Sequence, residues 1–149
     1  MSFNLDVLKL EAEEAITKIT LFLQDEVYKR FRRKGIIVGL SGGVDSAVMA
    51  ALAVRALGKE SVAGLILPEK ESNPVSAQYA AKHAEKLGIA FSAKDISATV
   101  DAVGGYETRD KYLQSLVPEY RADCAYNIVL PQDFLERDSL GIYRLQVRT

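Results

Sequence analysis

The stretch GIIVGLSGGVDSAVMAALAV, residues 35–54, decides the fold because it joins three local patterns without a break. Its apolar run IIVGL has the β-branched residues typical of a buried parallel strand. Two adjacent glycines then permit a sharp turn and close approach by other groups. From Val44 onward the pattern is helical. Strand, glycine loop and helix start, in this order, predict a backbone site for an anion between Gly39 and Ser46.

The same alternation continues after this first helix, VDSAVMAALAVRALG, whose larger apolar residues we expect to pack inward: Val48, Leu52, Val54 and Leu57. SVAGLILP is a second buried strand and IAFSAKDI a third. Between them, NPVSAQYAAKHAEKLG predicts a helix capped by Asn73, with Pro74 at its first position and Gly88 after its end. Strands and helices that alternate with short connections predict an α/β fold, a small doubly wound parallel sheet.

An amphipathic helix is predicted ahead of this sheet, over residues 5–33. Its apolar stripe recurs at spacings of three and four: Leu5, Leu8, Ala12, Ala15, Ile16, Ile19, Leu23, Val27 and Phe31. Its basic end, YKRFRRKG, complements the carbonyls of a helix C-terminus, which we favour over a nucleic-acid patch. The stripe exceeds what one small sheet covers, which favours self-association.

The chain therefore divides into an N-terminal helix at residues 1–34, an α/β core at 35–102 and a final segment at 103–149 in the same domain. The pattern of the final segment predicts a loop and a helix, followed by two short strands on either side of a polar stretch. Gly104 and Gly105 permit a sharp turn before that helix.

Composition limits the classes of function. Hydrophobic residues make up 48% of the chain, charged residues 26%, and the net charge is −1. These values predict a globular protein with no general attraction for nucleic acid or anionic membranes. No apolar run approaches the roughly 20 residues that span a bilayer. Cys124 is the single cysteine, which excludes an internal disulfide and favours a cytoplasmic location.

Asp45 is the informative residue of the glycine loop. Two like charges about 4 Å apart repel by roughly 4 kcal/mol at an effective dielectric of 20, so a carboxylate beside a polyphosphate needs a bridging cation. Mg²⁺ suits that position because it combines few protein carboxylates with several phosphate oxygens. The alternative is that Asp45 and Ser46 only cap the helix. The loop has neither the lysine of the G-x-x-x-x-G-K-[ST] motif nor the spacing of G-x-G-x-x-G.

SGGVDS after an apolar strand resembles the pyrophosphate-loop ATP pyrophosphatases, which include NAD, GMP, asparagine and argininosuccinate synthetases and tRNA-thiolating enzymes. The wider stretch is similar to NAD synthetases along nearly all of residues 35–102, through GIIVGLSGGVDSAVMAALAVRALGKESVAGLILPEKES and SAQYAAKHAEKLGIAFSAKDISATVDA. A GMP synthetase would show a short acidic–asparagine signature where this chain has LILPEKESNP.

The resemblance implies an adenine-nucleotide alpha hydrolase-like fold and an adenylating reaction. ATP would activate the carboxylate of deamido-NAD, and ammonia would then displace AMP, with no side-chain nucleophile. It further implies Mg²⁺ bound by Asp45, a homodimer, and contact with ATP by Gly39, Leu40, Ser41, Gly42, Gly43, Val44, Asp45, Ser46, Leu65, Ile66 and Leu67. The last three would lie against adenine.

The resemblance also implies that family members continue beyond residue 149, where a later strand supplies a second metal carboxylate. We therefore expect an N-terminal half of the family fold. Two alternatives stay open: another pyrophosphate-loop adenylating enzyme, GMP synthetase-like or tRNA-modifying, and a non-catalytic ATP-binding module.

Other polar residues have no assigned function at this point. Glu69, Glu71 and Asp95 follow strands at the expected ligand edge, and their roles stay open. His83 is predicted at the boundary of a helix stripe rather than in catalysis. Cys124 has no neighbouring base in the sequence and is not expected to be a nucleophile.

Overall fold

The computed structural model describes residues 9–129 and 144–148. The chain forms two compact units, Met1–Ser97 and Ala98–Thr149. Within the described ranges, no helix is both long enough and apolar enough to cross a membrane.

The first unit is of the α/β type, with a parallel sheet that two helices cover on one face. Its elements follow the order α1 (Ala12–Gln24), π-helical turns (Asp25–Arg30), β1 (Ile36–Gly39), α2 (Val44–Leu57), a 3₁₀ turn (Lys59–Ser61), β2 (Val62–Ile66), α3 (Pro74–Leu87) and β3 (Ala90–Ala93). The three strands are parallel in the order β1-β2-β3, with Ile36 opposite Val62 and Ala63 opposite Ala90. The predicted fold class is confirmed.

Helix α3 has the ends that its sequence predicts. The side chain of Asn73 accepts a hydrogen bond of 3.0 Å from the amide of Val75, and Pro74 occupies the first helical position. Gly88 ends the helix in the left-handed conformation, with φ of 67°. Both caps are confirmed, because each depends only on residues within one turn of the helix end.

The N-terminal helix differs from its prediction at the start. Lys9 to Glu11 are not helical and α1 begins at Ala12, while Leu5 and Leu8 lie outside the described residues. The last turns are π-helical and carry Lys29 and Arg30 at the C-terminal end. This agrees with the predicted placement of cations beside the terminal carbonyls.

Helix α2 packs through alanines rather than through its larger residues. Its buried residues are Ala50, Ala53, Ala56 and Leu57. The inward placement of Val48 was wrong, because that side chain is half exposed. Small side chains let neighbouring elements approach closely. Helix α1 packs on α2, and the side-chain amide of Gln24 donates a 2.7 Å hydrogen bond to the Ala56 carbonyl.

The two faces of the sheet are covered unequally. Ile36 and Val38 point to the core that α2 and α3 supply, whereas Ile37, on the other face, is 73% exposed. Right-handed crossovers from β1 to β2 and from β2 to β3 place both helices on the same face. The IIVGL strand, predicted to be buried, is therefore covered on one face within the described residues of this unit.

The second unit contains α4 (Ser97–Ala102), which starts at the unit boundary, α5 (Gly105–Leu116), and the antiparallel strands β4 (Ala125–Val129) and β5 (Arg144–Arg148). The predicted helix and pair of short strands are confirmed. Leu113, Tyr120 and Cys124 form a small core.

A polar network adjoins this small core. The Asp110 carboxylate accepts hydrogen bonds of 2.9 Å from the Tyr120 hydroxyl and from Nε of Arg109. The Arg109 guanidinium lies over the rings of Tyr106 and Tyr126, at 5.5 and 5.6 Å from their centroids. Burial raises the pKa of the Tyr120 hydroxyl, and the Asp110 carboxylate raises it further.

Candidate functional site

The glycine loop leaves the carboxyl end of β1 beside the end of β2. The amide of Leu40 donates to the Leu65 carbonyl at 2.8 Å, which extends the pairing of the two strands into the loop. Gly42 has a φ of +82°, and a Cβ placed there would lie 2.2 Å from the backbone oxygen of Ser76 in α3. Only glycine fits this position, because both its conformation and its contact exclude a side chain.

The first turn of α2 has no side-chain cap. Gly43 is the N-cap residue, and the first helical hydrogen bond joins the amide of Ala47 to the Gly43 carbonyl at 3.2 Å. The amides of Val44, Asp45 and Ser46 therefore lack partners within the helix. Neither Asp45 nor Ser46 caps the helix, so the alternative in which both serve only as caps is wrong. Uncapped amides at a helix start attract anions.

The loop hydroxyl groups bond to one another and to loop amides. The Ser41 amide donates to Oγ of Ser46 at 3.2 Å, the Gly43 amide donates to Oγ of Ser41 at 3.3 Å, and the two hydroxyl oxygens are 3.1 Å apart. Both amide bonds are longer than the usual 2.9–3.0 Å. A phosphate oxygen, as a charged acceptor, makes shorter and stronger hydrogen bonds with amides than a neutral hydroxyl does.

Asp45 is exposed and lies in the first turn of α2, next to these amides. No group of three or more side chains suited to holding a metal ion occurs within residues 9–129 and 144–148. A single exposed carboxylate such as that of Asp45 suits Mg²⁺. This ion takes few carboxylates from the protein and completes its coordination with oxygens from phosphate and water.

Two crevices adjoin the loop. The first, about 140 Å³, lies at the ends of β1 and β2 and is lined by Leu40, Ser41, Ile66, Leu67, Pro68, Ser72, Asn73, Ser76 and Ala77. It brings Ile66 and Leu67 together with the loop, as the sequence predicts for a nucleoside pocket. Leu65 is not among its lining residues, because alternation along β2 directs that side chain to the other face of the sheet.

The second crevice lies between the loop, α2 and α3. It has a volume of about 210 Å³ and is lined by Leu40, Gly42, Gly43, Val44, Ser46, Ala47, Tyr79, Ala80 and His83. Nε2 of His83 is 3.0 Å from the carbonyl oxygen of Ala47. This contact has no signal in the sequence, whose helical spacing places His83 on a helix face but does not reveal a partner on another helix.

The acidic residues that follow the strands accept hydrogen bonds from residues two or three positions further along the chain. The Glu69 carboxylate accepts hydrogen bonds from the Ser72 hydroxyl at 3.0 Å and from the Glu71 amide at 3.1 Å. Asp95 accepts from the Ser97 amide at 2.7 Å. The nearby Ser97 side chain and the hydrogen bond from the Ser97 amide hold the pKa of the Asp95 carboxylate below its ordinary value.

A parallel sheet with an uncapped glycine loop at its carboxyl edge places the chain among α/β proteins of the adenine-nucleotide alpha hydrolase-like class. The family model described as NAD synthase matches residues 15–134, and the chain belongs to that family.

Relatives of known sequence agree with this assignment. The chain is 38% identical over 146 residues to the NH(3)-dependent NAD(+) synthetase of Rhizobium meliloti, covering 98% of the chain and 43% of that relative. It is 47% identical over 96 residues to the protein of the same name from Methanocaldococcus jannaschii, covering 63% of the chain and 37% of the relative. The chain therefore spans less than half the length of these relatives.

Solved structures give the same result. The NH3-dependent NAD synthetase of Campylobacter jejuni, in complex with a nitrate ion, has a TM-score of 0.60 at 28% identity, with 75% of this chain and 52% of that chain covered. The glutamine-dependent NAD+ synthetase of Acinetobacter baumannii, in complex with ADP, has a TM-score of 0.57 at 29% identity, with 72% and 19% covered.

Proposed function

We propose that this chain holds Mg–ATP and supplies the ATP-binding part of a ligase that forms NAD from deamido-NAD and ammonia. The observation that carries the proposal is the uncapped start of α2, whose free amides follow a loop that only glycine can form at Gly42. Membership of the NAD synthase family supports the choice of substrates.

The pyrophosphate tail of ATP would lie against the amides of Val44, Asp45 and Ser46. The positive end of the helix dipole and the amides that lack partners within the helix favour negative charge there. The carboxylate of Asp45 would hold Mg²⁺, which offsets the repulsion between that carboxylate and the phosphates. The metal ion would stabilise negative charge on the departing pyrophosphate.

The nucleoside would occupy the crevice at the ends of β1 and β2. Ile66 and Leu67 provide apolar surface for a base, and Ser72 and Ser76 provide polar edges. Leu65 would contribute through its backbone, since its carbonyl already joins the loop to the strand. Ligands of open parallel sheets bind at this edge in general.

The reaction needs no nucleophile from the protein. A carboxylate oxygen of deamido-NAD attacks the α-phosphorus of ATP, the bond to the β-phosphate oxygen breaks, and pyrophosphate leaves with the electron pair. Ammonia then attacks the carbonyl carbon of the mixed anhydride, AMP departs, and a proton is released from nitrogen. The loop residues contribute by holding the leaving group, so their effect is electrostatic.

A homodimer is part of the proposal, as is a cytoplasmic location, which the single cysteine favours. The α1 region has an outward apolar surface in addition to the face that packs on α2: Leu21, Phe22 and Phe31. The start of the region is acidic through Glu11, Glu13 and Glu14, and its end is basic. Two copies in antiparallel orientation would match these charges and cover the apolar surface.

We expect Phe22→Lys to convert a dimer into a monomer in sedimentation velocity experiments. Phe22 is 62% exposed, so the substitution does not disturb the core of the unit. Tyr112→Lys on α5 is the control, since it replaces an aromatic residue of similar exposure, 66%, and should leave the dimer intact. A wild-type chain that sediments as a monomer would contradict this part of the proposal.

Pyrophosphate release from ATP tests the function and separates the alternatives. Release that requires deamido-NAD supports the NAD-forming assignment. Release without deamido-NAD indicates another adenylating enzyme. Binding of Mg–ATP without release indicates a non-catalytic ATP-binding module, and failure to bind Mg–ATP contradicts the proposal.

Asp45→Asn tests the metal assignment. We expect Mg²⁺ to strengthen ATP binding by about tenfold or more in the wild type and to have no such effect in the variant, because tenfold corresponds to 1.4 kcal/mol of the repulsion that the ion relieves. The measurement is calorimetric titration of ATP with and without Mg²⁺. Asp95→Asn is the matched control, since it removes an exposed carboxylate after β3 and should keep the Mg²⁺ dependence. If Asp45→Asn also keeps it, the metal assignment is refuted.

A further inference from the structure

We propose that His83 is a positioning residue, which holds the first turn of α2 and the loop before it in the orientation that binds pyrophosphate. The proposal rests on the proposed function, because it concerns how the same loop reaches its affinity.

The key contact joins His83 to the residue at which α2 begins its hydrogen bonding. Nε2 of His83 is 3.0 Å from the Ala47 carbonyl oxygen, in a partly buried position. Because a carbonyl only accepts, Nε2 must carry the proton and donate. The amide of Ala47 donates in turn to the Gly43 carbonyl at 3.2 Å. Ala47 therefore links the side chain on α3 to the last glycine of the loop.

Helix α3 contacts this region at two points along one face. Ser76, Ala80 and His83 are spaced by four and three residues, so they lie on one side of the helix. The Ser76 backbone oxygen lies against Gly42, Ala80 is 2% exposed, and His83 reaches Ala47 two turns further on. Two separated contacts from one rigid helix restrict both the position and the tilt of the loop and the first turn of α2.

The start of α2 is supported locally by Ser46, whose hydroxyl donates to the Gly43 carbonyl at 3.0 Å and accepts from the Ser41 amide at 3.2 Å, but this local contact does not fix the orientation of α2 on the neighbouring helix. The N-cap of α2, Gly43, has no side chain that could bond to the free amides, and a missing cap weakens a helix start. The two bonds that the Ser41 and Gly43 amides donate to the serine hydroxyls are long, at 3.2 and 3.3 Å. Amides that are already oriented bind an anion more tightly than amides that must be ordered on binding. His83 supplies this order from the neighbouring helix.

Three variants separate positioning from stability. His83→Leu removes the donor and His83→Gln keeps one at similar reach. Gln24→Leu is the matched control, because Gln24 donates a hydrogen bond of the same kind to the Ala56 carbonyl at the opposite end of α2. The full chain is used, with the dissociation constant for Mg–pyrophosphate measured by calorimetry, melting temperature by calorimetric scanning, and amide exchange across residues 41–47 by mass spectrometry.

We expect His83→Leu to weaken pyrophosphate binding by roughly threefold to tenfold, the range that the net free energy of one hydrogen bond covers. His83→Gln should restore most of the affinity. Gln24→Leu should lower the melting temperature similarly and leave the affinity unchanged. Equal affinities in His83→Leu and wild type, equal losses in His83→Leu and Gln24→Leu, or no restoration by His83→Gln would overturn the proposal.

A wild-type chain that does not bind pyrophosphate would refute the proposed function, and amide exchange then decides the role of His83. Faster exchange over residues 41–47 in His83→Leu than in Gln24→Leu would support positioning, and equal exchange would overturn it.

Discussion

Similar apolar side chains on the two faces of the β1–β3 sheet differ in how much of their surface is exposed. Val62 and Ile66 point to the covered face and are 3% and 4% exposed. Ile37, in the neighbouring strand but on the other face, is 73% exposed. The side chains are equally apolar, so the difference comes from the helices, both of which lie on one face.

This difference connects the fold to the site. Parallel sheets in α/β proteins are normally covered on both faces. The covered face carries α2 and α3, which together build and support the glycine loop. Ile37 therefore marks the face of this unit on which another element can pack, whereas the loop-supporting face is already covered.

The largest predicted effect compares one substitution on the two faces. Ile66→Ala should lower the free energy of unfolding by about 3 kcal/mol, because it removes buried methyl groups and leaves a cavity. Ile37→Ala should change it by less than about 0.5 kcal/mol, as is usual for exposed positions. Urea unfolding measures both. Equal costs would show that the Ile37 face is already covered in solution.

A smaller effect is expected from Gly42→Ala, at about 2 kcal/mol or more, since alanine at φ of +82° is strained and its Cβ would overlap the Ser76 carbonyl. Pyrophosphate binding should be lost with it. Gly58→Ala is the control, because Gly58 has nearly the same φ, +81°, but a Cβ there meets nothing within 4 Å and it lies at the end of α2 away from the loop, so pyrophosphate binding should be kept. If Gly42→Ala binds pyrophosphate as the wild type does, the loop conformation described above is not the one that binds.

Features that depend on neighbouring residues were predictable from the sequence. Asn73, Pro74 and Gly88 define α3 because caps and stops are local interactions. The glycine loop was predictable for the same reason, since Gly42 needs a conformation that few other residues adopt.

Features that depend on partners far along the chain were not predictable. The exposure of Ile37 depends on which face the crossovers cover, and the contact of His83 depends on Ala47 in another helix. Helix α2 packs through its alanines, so Val48 lies outside the core, although the sequence pattern predicted that it would be buried. The π-helical turns at Asp25–Arg30 have no sequence signal that we can identify.

The smallest predicted effect concerns the second unit. Its Tyr120–Asp110 hydrogen bond is partly buried, whereas the hydrogen bonds of the glycine loop are exposed. Tyr120→Phe removes the hydroxyl that donates to Asp110, and we expect a loss of about 1.5 kcal/mol, the lower end of the range for hydrogen bonds to charged groups. Tyr112→Phe, on an exposed tyrosine of the same unit, is the control and should cost less than about 0.5 kcal/mol.

The same hydroxyl predicts how stability varies with pH. Because burial and the Asp110 carboxylate raise the pKa of Tyr120 in the folded chain, the folded state keeps this proton at pH values where the unfolded chain loses it. The resulting stability is fully present below the unfolded pKa of about 10 and is lost as pH rises through the folded pKa. Subtracting the unfolding free energy of Tyr120→Phe from that of the wild type, at pH 8 and at pH 11, isolates this contribution from other titrating groups. A difference that does not shrink at the higher pH would mean that the hydroxyl is not held by Asp110, and the second unit would then lack the enclosed network that distinguishes it from the loop.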